Sequence, residues 1–381
     1  MGLKERLRRQ VELTIDVAGG LLRGNSHVIR VSPMGVREPP MPRQGDKGGT
    51  CTKPKNERDY APMGTSRLDF RRIRRRFRTP LRTGIGLVES VDRLLIRGES
   101  PAGSIGYGEV APWPGFKTES VDEAEKVIRA AQGNVEQLQR LVQKNKDALP
   151  CLASALSMLT AWSKIEKFVG ALNCAALLRE NTAAEEAAAR VSQGFSVLKL
   201  KISPTTTEDS VRAILAATPK SASLRLDANG LLTLVPARAW TEFARSEPRI
   251  EFIEQPLPVD HPGYTSLGPE KIAFDESFTS PRKDTRWPNV IVVKPALIGD
   301  WDSFRTWSPT IPAHCVFSSC FETAIGRQAA LAFAAECAPS QTVGFDTLGW
   351  FEPDGRERHT AGPNVHGLAN YDWEKFWEEV A

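Results

Sequence analysis

The chain of 381 residues is 41% hydrophobic and 25% charged, enough apolar material for a large core spread over two or three domains. No stretch reaches the roughly 20 uninterrupted apolar residues of a membrane span, and the start lacks the layout of a secretory signal, so a cytoplasmic protein with no membrane attachment is expected. The net charge of +4 conceals an asymmetry: residues 1 to 82 carry 20 Lys+Arg against 8 Asp+Glu. Six cysteines with no CxxC pair suggest neither a zinc site nor a disulfide framework.

Residues 1–64 read as a poorly ordered or non-native extension, with a short basic helix over Leu3 to Leu22 and a Pro/Gly/Arg stretch around Pro33 to Lys55. Met63 stands just before the first strand-like segment and is expected to be the native start. The run Arg71, Arg72, Arg74, Arg75 and Arg76 leads into a patterned segment without an aromatic platform, which argues against nucleic acid. Strands are predicted over Leu68 to Phe77, Val88 to Arg97 and Ser104 to Val110. Helices follow over Val121 to Ala131, with Ser120 as N-cap and Glu123 at N3, and over Leu152 to Phe168. Together, residues 65–165 read as a small α+β domain.

From 166 to 350 the texture changes to short apolar strands alternating with helices. The strands are Cys174 to Leu178, Val197 to Ile202, Ser223 to Leu226, Ile250 to Ile253, Ile272 to Phe274, Val290 to Val293, Cys315 to Ser318 and Thr342 to Phe345. Their ends carry Lys201, Asp227, Glu254, Asp275, Lys294, Ser319 and Asp346, in steps of 26, 27, 21, 19, 25 and 27 residues. Such a step holds one strand, one helix and two loops, as a parallel β/α barrel requires. Residues 351–381, with Trp373 and Trp377, are expected to return to the α+β domain.

Asp227, Glu254 and Asp275 end three successive strands, so a barrel brings three carboxylates to one rim, where barrel active sites lie. Bare, they would repel one another; an all-oxygen set suits Mg²⁺ or Mn²⁺. Lys199 and Lys201, two apart on a strand, both point inward. Lys294 faces them from the sixth strand. Two lysines flanking a metal suit proton abstraction beside a carboxylate, with the amine expected to have a lowered pKa. His261, His314, His359 and His366 read as structural, and Gly106-x-Gly108 lacks the context of a dinucleotide loop.

The set Lys199-Leu200-Lys201, Asp227-Ala228-Asn229, Glu254-Gln255-Pro256, Asp275-Glu276-Ser277 and Lys294-Pro295 resembles the muconate-lactonising subgroup of the enolase superfamily, over roughly Arg67 to Phe351. The resemblance implies an α/β, enolase-like fold, with an α+β capping domain and a modified (β/α)7β barrel of the TIM type. It further implies Asp227, Glu254 and Asp275 as metal ligands, Lys201 as base, Lys294 as the opposing lysine, and Lys199, Asn229 and Glu276 in support. Three segments are most similar to o-succinylbenzoate synthases: Arg78 to Thr83, Gly106 to Phe116 as a loop over the site, and Ser318-Ser319-Cys320 with Gly344 to Leu348. Cys320 stands where the synthases carry a third serine, and Leu348 replaces the second Asp of the dipeptide epimerases' Asp-x-Asp. The implied reaction is a syn-elimination of water from a cyclohexadiene carboxylate on the way to menaquinone or phylloquinone. Ser318, Ser319, Gly344 and Thr347 are implied substrate contacts for this small-molecule carboxylate. Arg225 reads equally as a carboxylate anchor or as a salt bridge inside the barrel. An N-acylamino-acid racemase, using both lysines as bases, is the rival activity, with a cycloisomerase or dipeptide epimerase behind it. Oligomeric state is left open.

Overall fold

A computed structural model describes residues 67–83, 86–178, 183–278 and 288–380. The expected extension over 1–64, its helix, Met63 and Cys51 lie outside the described residues. The first three strands, β1 (Arg67–Thr83), β2 (Gly86–Glu99) and β3 (Ile105–Val110), form one antiparallel sheet in the order β1-β2-β3. Along β1, Ile73, Arg75 and Phe77 are buried while Arg72, Arg74 and Arg76 are exposed, the period-2 alternation of a half-covered strand. Two of the exposed arginines pair within the chain, Arg72 with Asp92, Asp122 and Glu125, and Arg74 with Asp92.

Helices α1 (Val121–Ala130), α2 (Val135–Lys144) and α3 (Pro150–Ile165) follow. The capping box expected at α1 is present: Ser120 Oγ accepts from the Glu123 amide at 3.2 Å, and Glu123 Oε2 accepts from the Ser120 amide at 2.8 Å. The sequence reading does not anticipate α2, although Val135, Leu138 and Val142 form one buried stripe. Helix α3 lies directly on β3, where a Cβ on Gly106 would stand 2.5 Å from the Leu159 carbonyl oxygen and one on Gly108 2.2 Å from that of Ala155. The two glycines therefore serve close helix–sheet packing.

After β4 (Ala171–Asn173), β5 (Ala176–Leu178), β6 (Val197–Lys201), β7 (Ser223–Asp227), β8 (Ile250–Glu254), β9 (Ile272–Phe274), β10 (Val290–Val293) and β11 (His314–Phe317) form a seven-stranded parallel sheet in sequence order. The long connections carry α4 (Ala183–Ser192), α5 (Glu208–Ala216), α6 (Leu234–Ser246), α7 (Tyr264–Leu267), α8 (Trp301–Trp307) and α9 (Ala324–Cys337). The expected eighth strand, Thr342 to Phe345, is reduced to two parallel bridges, Val343 to Cys174 and Gly344 to Ser318. Those bridges nonetheless join the two edges of the sheet, because Val343 bonds backbone to Asn173 and Ala175, and Gly344 to Phe317 and Ser319. Strand β12 (Asn364–His366) pairs with β4, and helix α10 (Trp373–Glu379) ends the described chain.

One hydrophobic core runs continuously from Leu68 to Val380. Trp373 packs edge-on against Trp162 at 5.0 Å, and Trp377 lies 6.0 Å from Tyr107. Arg97 and the Tyr107 hydroxyl both bind Glu374 of α10. No described helix is long and apolar enough to cross a membrane. The described cysteines are free thiols.

Candidate active site

A cavity of about 260 Å³ opens at the C-terminal ends of the parallel strands. Lys199, Lys201, Asp227, Glu254, Asp275 and Lys294 all line it, together with Asn229, Glu276, Ser318, Ser319, Gly344 and Thr347. Register explains the convergence. Lys201 pairs with Asp227 and Asp227 with Glu254 on neighbouring strands. The second match depends on a bulge: Leu224 faces Ile250 but Arg225 faces Phe252, so Glu251 is an extra residue that brings Glu254 level with Asp227. Beyond the strands the chain turns out sharply, with left-handed backbone at Asn229 (φ 45°) and Gln255 (φ 41°).

The charges on this rim are buried and interlocked. Lys199 Nζ lies 2.8 Å from Asp227 Oδ2 and 2.8 Å from Glu254 Oε1, and Lys294 binds Asp275. Burial raises Glu254 to about 7, with the charge of Asp227 adding to it. Burial likewise raises Asp275 to about 6 against the pull of Lys294. At Asp227 burial acts in the same sense, but Lys199 and then Lys201 outweigh it and hold the group low. Burial opposes charge on Lys199 and Lys294, yet the surrounding carboxylates win and raise both. These two amines neutralise a crowd of acids.

As placed, no group of three or more His, Cys, Asp or Glu that could hold a metal ion occurs among the described residues. The lysine ammoniums supply the charge compensation instead. The donor chemistry still suits a hard divalent cation: buried carboxylate oxygens on consecutive strand ends, two of them raised by burial and mutual repulsion. Gln255 fixes the third carboxylate's loop, since its Oε1 accepts from the amides of Asp275 at 3.2 Å and Ser277 at 3.0 Å. Sequence reasoning quotes Gln255 without giving it this role.

The far wall is built by the loop after β11. Ser318 Oγ donates to the Gly344 carbonyl at 3.2 Å, and a Cβ on Gly344 would stand 2.8 Å from that hydroxyl. Ser319 Oγ donates to Glu322 at 2.5 Å and accepts from the Phe321 amide at 2.9 Å and from Thr347 Oγ1 at 3.1 Å. Arg327 in turn donates to Thr347 Oγ1 at 3.1 Å. Arg225 does not line the cavity. It donates to Glu251 at 2.6 Å and to the Thr342 carbonyl at 2.9 Å inside the barrel, so of its two readings the structure shows the salt bridge.

Apolar residues close the remaining side. Leu81 from β1 and Trp113, Gly115 and Phe116 from the loop after β3 reach the cavity, as does Phe321. Trp113 stacks on Phe321 with centroids 4.9 Å apart, and the Phe116 ring lies 4.6 Å from Lys294 Nζ. Lys117 ties the same loop to Asp260 at 2.9 Å.

Residues 182–289 match the family described as Enolase C-terminal domain-like. The chain is 30% identical over 321 residues to an o-succinylbenzoate synthase from Thermosynechococcus vestitus, covering 79% of this chain and 95% of that protein. An N-succinylamino acid racemase from Amycolatopsis is 27% identical over 332 residues, with 75% and 86% covered. Among solved structures, an o-succinylbenzoate synthase from Thermosynechococcus elongatus, complexed with Mg in its active site, matches with a TM-score of 0.70 and 28% identity over 82% of this chain and 99% of that one. The L-Ala-D/L-Glu epimerase from Bacillus subtilis matches with a TM-score of 0.66 at 20% identity, over 80% and 97%, which speaks for the fold alone. The enolase-like arrangement of an α+β capping domain on a barrel is thereby borne out. Sharing the fold of a solved o-succinylbenzoate synthase along nearly its whole length, and 30% identical over 321 residues to a Thermosynechococcus synthase, this chain is an enzyme that belongs to the o-succinylbenzoate synthase family of the enolase superfamily.

Proposed function

We propose that the enzyme removes water from 2-succinyl-6-hydroxy-2,4-cyclohexadiene-1-carboxylate to give 2-succinylbenzoate, in the route to menaquinone or phylloquinone. The observation that carries this reading is the pair of lysines, Lys201 on β6 and Lys294 just past β10, on one carboxylate-rimmed cavity walled by Trp113, Phe116 and Phe321. Asp227, Glu254 and Asp275 are the groups to hold Mg²⁺, or Mn²⁺, with Asn229 and Glu276 beside them. When bound, the cation supplies positive charge against the extra negative charge that the substrate carboxylate gains as the neighbouring C–H bond breaks.

The chain's own residues do the rest. Lys201, as the free amine, takes the proton from the carbon bearing the carboxylate. The C–O bond to the ring hydroxyl then breaks, and the proton held by Lys201 leaves with that oxygen as water, so the ring becomes aromatic and the lysine returns to the amine. Lys294 stays charged, held by Asp275 and the Phe116 ring, and faces the developing negative charge without moving a proton. Lys199 holds Asp227 low and opposes the burial that raises Glu254. Ser318, Gly344 and Thr347 line the space for the succinyl group, while Trp113 and Phe116 exclude water.

Single-turnover aromatisation, followed by ultraviolet absorbance, tests this. Wild-type turnover should require Mg²⁺, vanish with chelator, and fall on the order of 10³-fold in Lys201→Ala. The similarity to the Amycolatopsis racemase supports one second reading, an N-succinylamino acid racemase with both lysines as bases. Absence of aromatic product, with α-deuterium exchange of N-succinylamino acids from both faces, would move the function there.

A further inference from the structure

We propose that the buried pair Arg93 and Glu109, on strands β2 and β3 of the capping sheet, is a positioning device that sets the 318–323 loop and the Phe321 ring over the cavity. Both side chains are fully buried, and their charged groups approach to 3.7 Å. Neither touches the rim carboxylates or the lysines. Instead each reaches out of its own sheet into one segment of the barrel. Arg93 donates to the Cys320 carbonyl at 2.8 Å and to that of Phe321 at 3.5 Å. Glu109 accepts from the Thr323 amide at 3.0 Å, the Thr323 hydroxyl at 2.5 Å and the Gly326 amide at 3.0 Å, and so covers the N-terminus of α9.

The segment so held needs holding. Phe321 has φ 63°, a left-handed conformation that a bulky residue adopts only when its surroundings impose it. The strain has a use, because it turns the Phe321 ring onto Trp113 at 4.9 Å and onto Phe77 at 5.2 Å. Phe321 and Trp113 both line the cavity. Arg93 fixes the carbonyls on either side of the strained residue, and Glu109 fixes the helix start that follows. An ordinary interdomain salt bridge would point its two charges at each other; this one spends most of its hydrogen bonds on the loop. Replacement of either group would leave a buried charge or several amides unpaired, so the loop is the place where the defect appears.

The kinetic part of the test rests on reading the cavity as the active site; a labelling part does not. Cys320 and Cys174 are both buried, the first in the loop and the second at the barrel's first strand. In Glu109→Gln and Arg93→Lys, alkylation of Cys320, followed by peptide mass spectrometry, should rise about tenfold or more while Cys174 stays protected. If both thiols open together, the pair is a global stability element and the proposal falls. It falls equally if folded variants protect Cys320 as the wild type does. In the aromatisation assay the same variants should raise KM about tenfold with kcat within about twofold, and Glu109→Gln should add nothing to Phe321→Ala. Additive effects would overturn the route through Phe321. A wild type that does not aromatise the substrate removes the proposed function and leaves the labelling result to decide the positioning role.

Discussion

Ser319 shows how hydrogen-bond capacity decides a residue's role. A hydroxyl has one proton and two lone pairs, and Ser319 commits all three within the chain, to Glu322, Phe321 and Thr347. It therefore has no donor to spare for a substrate carboxylate, the role its sequence neighbourhood implies. Ser318 also lines the cavity, and its one proton goes to the Gly344 carbonyl, a single bond that a substrate acceptor could take over by rotation of the hydroxyl. Ser319→Ala should lose about 1–3 kcal/mol of stability in urea unfolding, because Glu322 and the Phe321 amide would be left short of a partner; a change under about 0.5 kcal/mol would mean that water replaces the hydroxyl. The rim residues were legible because Asp227, Glu254, Asp275 and Lys294 each interrupt an apolar run. Arg93 was not: nothing in Asp-Arg-Leu-Leu distinguishes a buried arginine from a solvated one.

At the scale of elements, strand irregularities do the aligning. The bulge in β8 makes Asp227 and Glu254 neighbours, and no alternation pattern in Ile-Glu-Phe-Ile-Glu reveals it. Strand β1 runs on to Thr83, past the predicted end at Phe77, through a register shift between Arg76 and Leu81, and so delivers Leu81 to the cavity. Arg75 on this strand anchors the segment after the barrel. Its guanidinium donates to Asp354 at 2.7 Å and Glu357 at 2.6 Å and lies 3.8 Å from the Phe351 ring centroid. Arg75→Met should lose about 3 kcal/mol, at the lower end for a broken buried pair since both acids keep some contact with water. Urea midpoints at neutral pH measure this, and a loss below about 1 kcal/mol would show that the acids are satisfied without Arg75.

For the molecule as a whole, acid stability provides a test of packing. His359 is buried beside Gln328, and burial first, then the charge of Arg327, lower it to about 3. The unfolded imidazole binds a proton near pH 6.5 and the folded one does not, so this contribution is complete above about pH 6.5 and shrinks as pH falls toward 3. Between pH 7.5 and 5 the wild type should lose about 2 kcal/mol more than His359→Gln; equal losses in the two urea series would place the imidazole in contact with water. The sequence by itself determined the class of the fold and the identity of the rim, because parallel strands at near-constant steps can place their last residues in only one ring. Tertiary structure alone decided how that ring is closed and roofed. The eighth strand survives as two bridges because Val343 and Gly344 need bond only the two edges of the sheet, and the aromatic roof is set by Arg93, Glu109 and the strained Phe321. Those contacts join residues more than 200 positions apart, and their energy comes from burial and from hydrogen bonds that exist only once both layers have met.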